Sequence, residues 1–261
     1  MQSLIKPFGA AARAVRDLVL PQTCARCGVL VGPDGGLCSD CWQALTFMSG
    51  RANCSRCAEP LEDRYGPHDG LCAHCRARPP RYDKARAALL YDDVARALIL
   101  GLKHGDRLHT VPVLARLMRA AGAEVMDDAD WLVPVPVHPA RLRSRRFNQA
   151  AELARALAAS SGMACVQALE RTRPTPSQSG GRVRRARNVR DAFALAPGVG
   201  VTGRRIVLID DVLTTGATVE ACATALLEAG ANRVSVLALA RAQPPQDRAG
   251  DQSGALTDLR P

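Results

Sequence analysis

The chain has 261 residues, 47% hydrophobic but only 3% aromatic, with a formal net charge of +10. That length admits one large domain or a domain with a module, built on an Ala, Leu and Val core. No apolar run approaches the ~20 residues of a membrane-spanning helix, so a transmembrane segment is excluded, and the arginine excess points to phosphates or nucleic acid as partners.

At the N-terminus, Leu4, Phe8, Ala12, Val15, Leu18 and Val19 recur near helical spacing. An amphipathic helix over residues 1–20, packed on the next module, is expected; the rival is a helix lying on a membrane surface. The stretch lacks a continuous apolar core, which argues against a signal peptide.

Eight of the ten cysteines then form four Cys-x2-Cys knuckles, Cys24/Cys27, Cys38/Cys41, Cys54/Cys57 and Cys72/Cys75. Two thiolates with two residues between them meet one ion from a tight turn, and a second knuckle completes a tetrahedron. Structural zinc is the expected metal. Two consecutive ribbons are the simplest pairing; the spacing also admits interleaved pairing, or occupancy of a single site. Eight thiolates around two divalent ions remove four units of charge and leave the chain basic, at about +6. His68 and His74 read as bystanders. A module this small cannot fold on apolar burial alone, so metal binding and folding should be linked.

Arg76 to Asp83 reads as a polar, proline-marked linker. Ala87 to Tyr91 reads as a strand and Val94 to Leu102 as a helix, with Lys103 at its end a candidate phosphate ligand. Val111 to Ala123 is a second helical face. Trp131 to Val133 is a buried strand, expected to stop there because prolines follow. Arg141, Arg143, Arg145 and Arg146 crowd into six positions before Phe147-Asn148-Gln149 opens a helix running to about Ala159. Arg141 and Arg145 are candidates to hold pyrophosphate bidentately. Val166 to Leu169 reads as a short strand. A long aperiodic segment follows, with five arginines between Arg182 and Arg190, either a lid over a phosphate site or a nucleic-acid groove. Asp191 to Leu195 resumes as a strand.

The richest stretch is Ile206 to Thr218. Four apolar residues, Ile206 to Ile209, run without alternation, as in a strand buried on both faces of a parallel sheet. Asp210 and Asp211 follow, then Val212, Leu213, Thr214, Thr215, Gly216, Ala217 and Thr218, then an apolar helical face starting at Val219. The first N–H groups of a helix lack internal partners and carry partial positive charge. The turn therefore suits a phosphate, and the acid pair suits a neighbouring diol or a magnesium ion. Together they specify a phosphorylated sugar. Cys222 and Cys165 read as core. Arg233 to Ala240 gives a last strand, and the polar residues 242–261 read as a disordered tail.

The acid pair followed by Thr-Thr-Gly-x-Thr resembles the phosphoribosyl-pyrophosphate motif of type I phosphoribosyltransferases. With the four knuckles, Leu102-Lys103, Val133 to Pro136, Arg145 with Phe147 to Gln149, and Arg171 to Arg173, the chain resembles the ComF family. That resemblance implies an α/β fold: a type I phosphoribosyltransferase-like parallel sheet flanked by helices at 84–241, after a small double zinc ribbon at 21–78 with four cysteines to each ion. It implies binding of phosphoribosyl pyrophosphate with magnesium, with Lys103, Asn148, Gln149 and Arg173 joining the motif as ligands and Asp210, Asp211, Arg141 and Arg145 acting at the reacting centre. Transfer of phosphoribose is the expected activity; binding of a sugar phosphate or single-stranded DNA without turnover is the alternative. It further implies a cytoplasmic protein, peripheral to the inner membrane, that serves natural competence. Single-stranded DNA, an uptake helicase or membrane channel proteins are the implied partners.

Overall fold

The computed structural model describes residues 22–32, 36–61, 70–103, 108–137, 147–172 and 192–243. The expected N-terminal helix, the tail beyond 243, the basic segment 173–191 and His68 lie outside the described residues.

Two knuckle pairs come first, built alike. Gly28 and Ala58 hold the same place after Cys27 and Cys57, both at positive φ (78° and 55°). Helix α1 (Ser39–Gln43) closes the first ribbon and α2 (Ala73–Ala77) the second. The main domain is a five-stranded sheet in the order β1-β7-β6-β2-β3, parallel throughout. Its strands are β1 (Ala85–Leu90), β2 (Trp131–Pro134), β3 (Ala164–Cys165), β6 (Arg205–Leu213) and β7 (Arg233–Arg241). The short strands β4 (Leu169–Arg171) and β5 (Phe193–Leu195) form a separate antiparallel pair. Helices α3 (Asp93–Lys103), α4 (Val111–Met126), α5 (Gln149–Ser161) and α6 (Ala217–Glu228) connect or flank the strands. Among the described residues no helix is long and apolar enough to cross a membrane.

β6 shows why the apolar run does not alternate. Ile206 and Leu208 enter one core with Val219, Cys222 and Leu226 of α6, while Val207 and Ile209 enter the other with Leu98, Leu114 and Leu153 of α3, α4 and α5. Each face of the strand needs apolar side chains because each is covered. The helix α5 after β2 thus lies on one face and the helix α6 after β6 on the other. Neighbouring strands whose helices leave to opposite faces open a crevice at their carboxyl ends, the usual binding place in such sheets.

The ribbons join the domain at different places. Phe47, between them, forms an antiparallel bridge with Leu89, and Met48 N–H donates to the Ala88 carbonyl at 3.0 Å. This covers the outer edge of β1, which would otherwise expose unpaired backbone groups. The four cysteines of the second ribbon are buried in the core that contains α6.

Several sequence expectations are corrected. β6 does not stop at Ile209 but runs through both aspartates to Leu213, because β7 pairs with it out to Arg241. β2 includes Pro134, which lies beyond the reach of β3, paired only to β6. Val166 to Leu169 is not one strand: β3 ends at Cys165 and β4 begins at Leu169. The Arg76–Asp83 linker is anchored at its end: Tyr82 is buried and Asp83 N–H donates to the Val234 carbonyl at 2.8 Å. Cys222 is core, but Cys165 is only half-buried, being on the two-residue strand at the sheet's edge.

Candidate functional site

The metal clusters resolve the pairing. Cys24, Cys27, Cys38 and Cys41 form one group and Cys54, Cys57, Cys72 and Cys75 the other, with the sulfurs of each within 4.8 Å of one another. Pairing is therefore consecutive. A tetrahedron with zinc–sulfur bonds of about 2.3 Å has sulfur–sulfur edges of about 3.8 Å. The Cys27–Cys38 and Cys57–Cys72 sulfurs are both 3.7 Å apart, which fits that ion. Backbone N–H groups support the thiolates: Cys38 N–H donates to Cys24 Sγ and Cys75 N–H to Cys72 Sγ, each at 3.4 Å. Burial, then the Cys54 charge, push the Cys57 thiol up to about 12. A divalent cation among the sulfurs offsets both causes. Four sulfurs leave no open coordination position, so these are structural sites. His74 is exposed and belongs to neither group.

The second candidate site lies at the carboxyl end of the sheet. β6 carries Asp210 and Asp211 there, both half-buried. Asp211 N–H donates to Asp210 Oδ1 at 2.9 Å, so the first acid also shapes the backbone of the second. Burial, then the Asp210 charge, push the Cys222 thiol of α6 up. After Leu213 the chain leaves the sheet through Thr214 and Thr215. Gly216 is the N-cap of α6 at φ +81°, a conformation that favours glycine. Ala217 and Thr218 are thus the first helical residues rather than part of the turn. Ala217 N–H donates to Thr215 Oγ1 at 3.4 Å.

Across the crevice, Val135 N–H donates to the Ile209 carbonyl at 2.9 Å, holding the segment after β2 beside the acid pair. Asn148 caps α5. Its Oδ1 accepts from Ala150 N–H at 3.1 Å and its Nδ2 donates to the Val135 carbonyl at 3.0 Å, so both polar atoms serve the fold. Gln149, the next residue, is 2% exposed, and its Nε2 is buried with no hydrogen-bond partner among the described residues. Arg141, Arg145, Arg173 and the Lys103 side chain lie outside the described residues. The described residues on either side of the basic segment are joined: Thr172 N–H donates to the Ala192 carbonyl at 3.0 Å.

Three residues at this site were missed in the sequence. Arg241, the last of β7, is 2% exposed and donates to the carbonyls of Leu213 (2.9 Å) and Thr214. Tyr82 sets its hydroxyl 3.6 Å from where a Cβ on Gly216 would stand. Glu220, in the first turn of α6, accepts Arg81 N–H with both carboxylate oxygens at 3.0 Å, and burial holds its pKa above the usual carboxylate range. The only sequence signal was a charged residue ending the apolar run of β7.

Residues 15–76 match the double zinc ribbon domain and residues 149–255 the phosphoribosyl transferase domain. The chain is 32% identical over 237 residues to the DNA utilization protein YhgH of Escherichia coli strain K12, an alignment covering 86% of this chain and 99% of that protein. It is 28% identical over 228 residues to Competence protein F of Haemophilus influenzae, covering 84% of this chain and 96% of that one. A solved structure of the allosteric regulatory enzyme of purine biosynthesis aligns with 49% of this chain and 25% of its own, at 25% identity and a TM-score of 0.33.

Proposed function

Because the chain belongs to the ComF family, joining a double zinc ribbon to a phosphoribosyl transferase domain, we propose that it binds phosphoribosyl pyrophosphate with magnesium at the end of β6 and transfers the phosphoribosyl group. One observation carries this reading: two adjacent carboxylates lie near the carboxyl end of a central strand that leads, through Thr214 and Thr215, to a glycine-capped helix N-terminus. In this reading Asp210 and Asp211 hold the ribose 2- and 3-hydroxyls, directly or through magnesium. The segment from Val212 to Thr218 (strand end, turn and helix start) holds the 5-phosphate with backbone N–H groups and the Thr214, Thr215 and Thr218 hydroxyls. Gln149 Nε2 offers a donor to the same ligand, with Asn148 fixing its position. Arg141, Arg145 and Lys103 are assigned to the pyrophosphate, and Arg173 to the same ligand.

Adjacent half-buried carboxylates are a hard oxygen donor set that suits magnesium, which when bound would neutralise charge on the leaving pyrophosphate. As the bond from C1 to pyrophosphate breaks, the ring gains oxocarbenium character. Fixed carboxylates under the ribose and fixed donors around the phosphate are in place before that charge develops, which lowers the barrier. A nucleophile then bonds to C1 and loses its proton. The names of the relatives support a place for this chemistry in DNA utilisation or competence. The basic balance, about +6 with both zinc ions bound, favours single-stranded DNA as a second ligand.

Calorimetric titration of phosphoribosyl pyrophosphate into the zinc-loaded protein tests the reading. Saturable binding that requires magnesium is expected. A folded protein that takes up no ligand with magnesium present would sink it. Release of pyrophosphate on adding single-stranded DNA or a nucleobase separates transfer from binding alone.

A further inference from the structure

We propose that Arg241 is a positioning residue that makes the sugar-phosphate turn depend on the second zinc cluster; the proposal rests on the reading of that turn given above. A guanidinium has five N–H donors in a rigid plane. Here Nε donates to the Cys57 carbonyl at 3.1 Å and Nη2 to Glu59 Oε2 at 3.1 Å. Nη1 donates to the carbonyls of Leu213 and Ala242, each at 2.9 Å, and to that of Thr214. One buried side chain thus spans from the peptide of a zinc ligand to the first peptides of the turn.

The consequence follows from peptide geometry. Across a planar trans peptide, the carbonyl of one residue and the N–H of the next point in opposite directions. The Thr214 carbonyl is drawn onto Arg241, and the Leu213 carbonyl is shared between Arg241 and Ala242 N–H at 3.0 Å, which turns the N–H groups of Thr214 and Thr215 away from it, toward the side where a phosphate would sit. The ribbon end of the clamp is itself fixed by the knuckle. Ala58 N–H donates to the Cys54 carbonyl at 2.9 Å, and Cys54 N–H to the Glu59 carbonyl at 2.7 Å. Cys54 and Cys57 are both ligands, so metal sets the spacing of the two groups that Arg241 grips.

Two further ties run from the segment following the second ribbon to the turn and the helix it opens. Tyr82 packs in one core with Cys57 and Cys75 and reaches Gly216. Arg81 N–H is held by Glu220 on α6. The segment following the first ribbon, by contrast, bonds to β1: Met48 N–H meets the Ala88 carbonyl and Leu90 N–H the Thr46 carbonyl. The two clusters should therefore differ. Ligand binding should be linked to the second zinc and indifferent to the first.

Linkage is reciprocal, and coupling between sites commonly amounts to roughly 5- to 150-fold. The test uses the full-length protein with both zinc ions, Arg241→Met/Glu59→Gln as the variant, and a chromophoric chelator. Removing both charges together avoids leaving a buried ion unpaired. In the wild-type protein, phosphoribosyl pyrophosphate with excess magnesium is expected to slow release of one of the two zinc ions about tenfold. The variant is expected to keep both ions and its helix content, to bind the ligand at least about tenfold more weakly, and to lose the protection. Wild-type protein that binds the ligand while both ions leave at unchanged rates, with the variant binding equally well, would overturn the coupling and leave the site standing. Wild-type protein that binds no ligand would overturn the site, and the coupling with it.

Discussion

Cys57→Ser is expected to lower the zinc content from two ions per chain to one and to cost more than about 4 kcal/mol of stability, a loss that belongs to the exceptional class of single substitutions. Cys57 is 5% exposed and shares a core with Val133, Leu208 and Val219 of the main domain. Loss of that metal therefore opens the face of the sheet on which α6 packs. Cys27→Ser loses one ion too, but Cys27 is exposed, none of its ribbon's cysteines is part of either core, and what the ribbon sets against the opposite core is Ala25 and the partly buried Leu37, with Leu45 and Phe47 just after it. Its unfolding should stay local, with the main transition preserved. Thermal melts read beside metal analysis distinguish the two; equal loss from both substitutions would contradict the asymmetric seating of the ribbons.

Asp210→Asn/Asp211→Asn is expected to weaken magnesium-dependent binding of phosphoribosyl pyrophosphate by at least about 100-fold. Hydrogen bonds to a charged group contribute roughly 1.5–3 kcal/mol each, and each 1.4 kcal/mol is a factor of ten. The fold should survive, because an asparagine carbonyl at 210 still accepts the Asp211 N–H now held at 2.9 Å. Calorimetry and a thermal melt on the same preparation check both halves. Unaltered affinity would move the ligand away from the acid pair.

Much of this was legible because local chemistry writes directly into spacing. The knuckles follow from the two-residue gap between cysteines that a tetrahedral ion needs. The Ile206–Ile209 run followed by Asp210, Asp211 and a Thr/Gly turn follows from a strand covered on both faces that ends at a helix N-terminus. What was not legible was set by distant partners. The extension of β6 through two aspartates, poor strand formers, is imposed by β7 alongside. Val166 to Leu169 has the composition of a strand, yet β3 pairs only with the first two residues of β2, and the chain then turns toward β5. Arg241 meets Cys57 and Glu59 across 184 and 182 residues of chain. No pattern near an arginine at the end of Val-Leu-Ala-Leu-Ala announces that it is buried. Tyr82 was hidden in the same way, inside a stretch whose prolines and arginines suggested a tether. Cys165 misled in the other direction: a cysteine in a strand suggests core, but its strand is the sheet's short edge.

The most direct test of the sugar-phosphate site is amide hydrogen exchange across the whole chain, with and without phosphoribosyl pyrophosphate and magnesium. Protection centred on Val212 to Val219, with a second protected patch at the start of α5 near Gln149, is the predicted result. Unchanged exchange at the turn under conditions where the ligand binds, or protection confined to the ribbons, would contradict it.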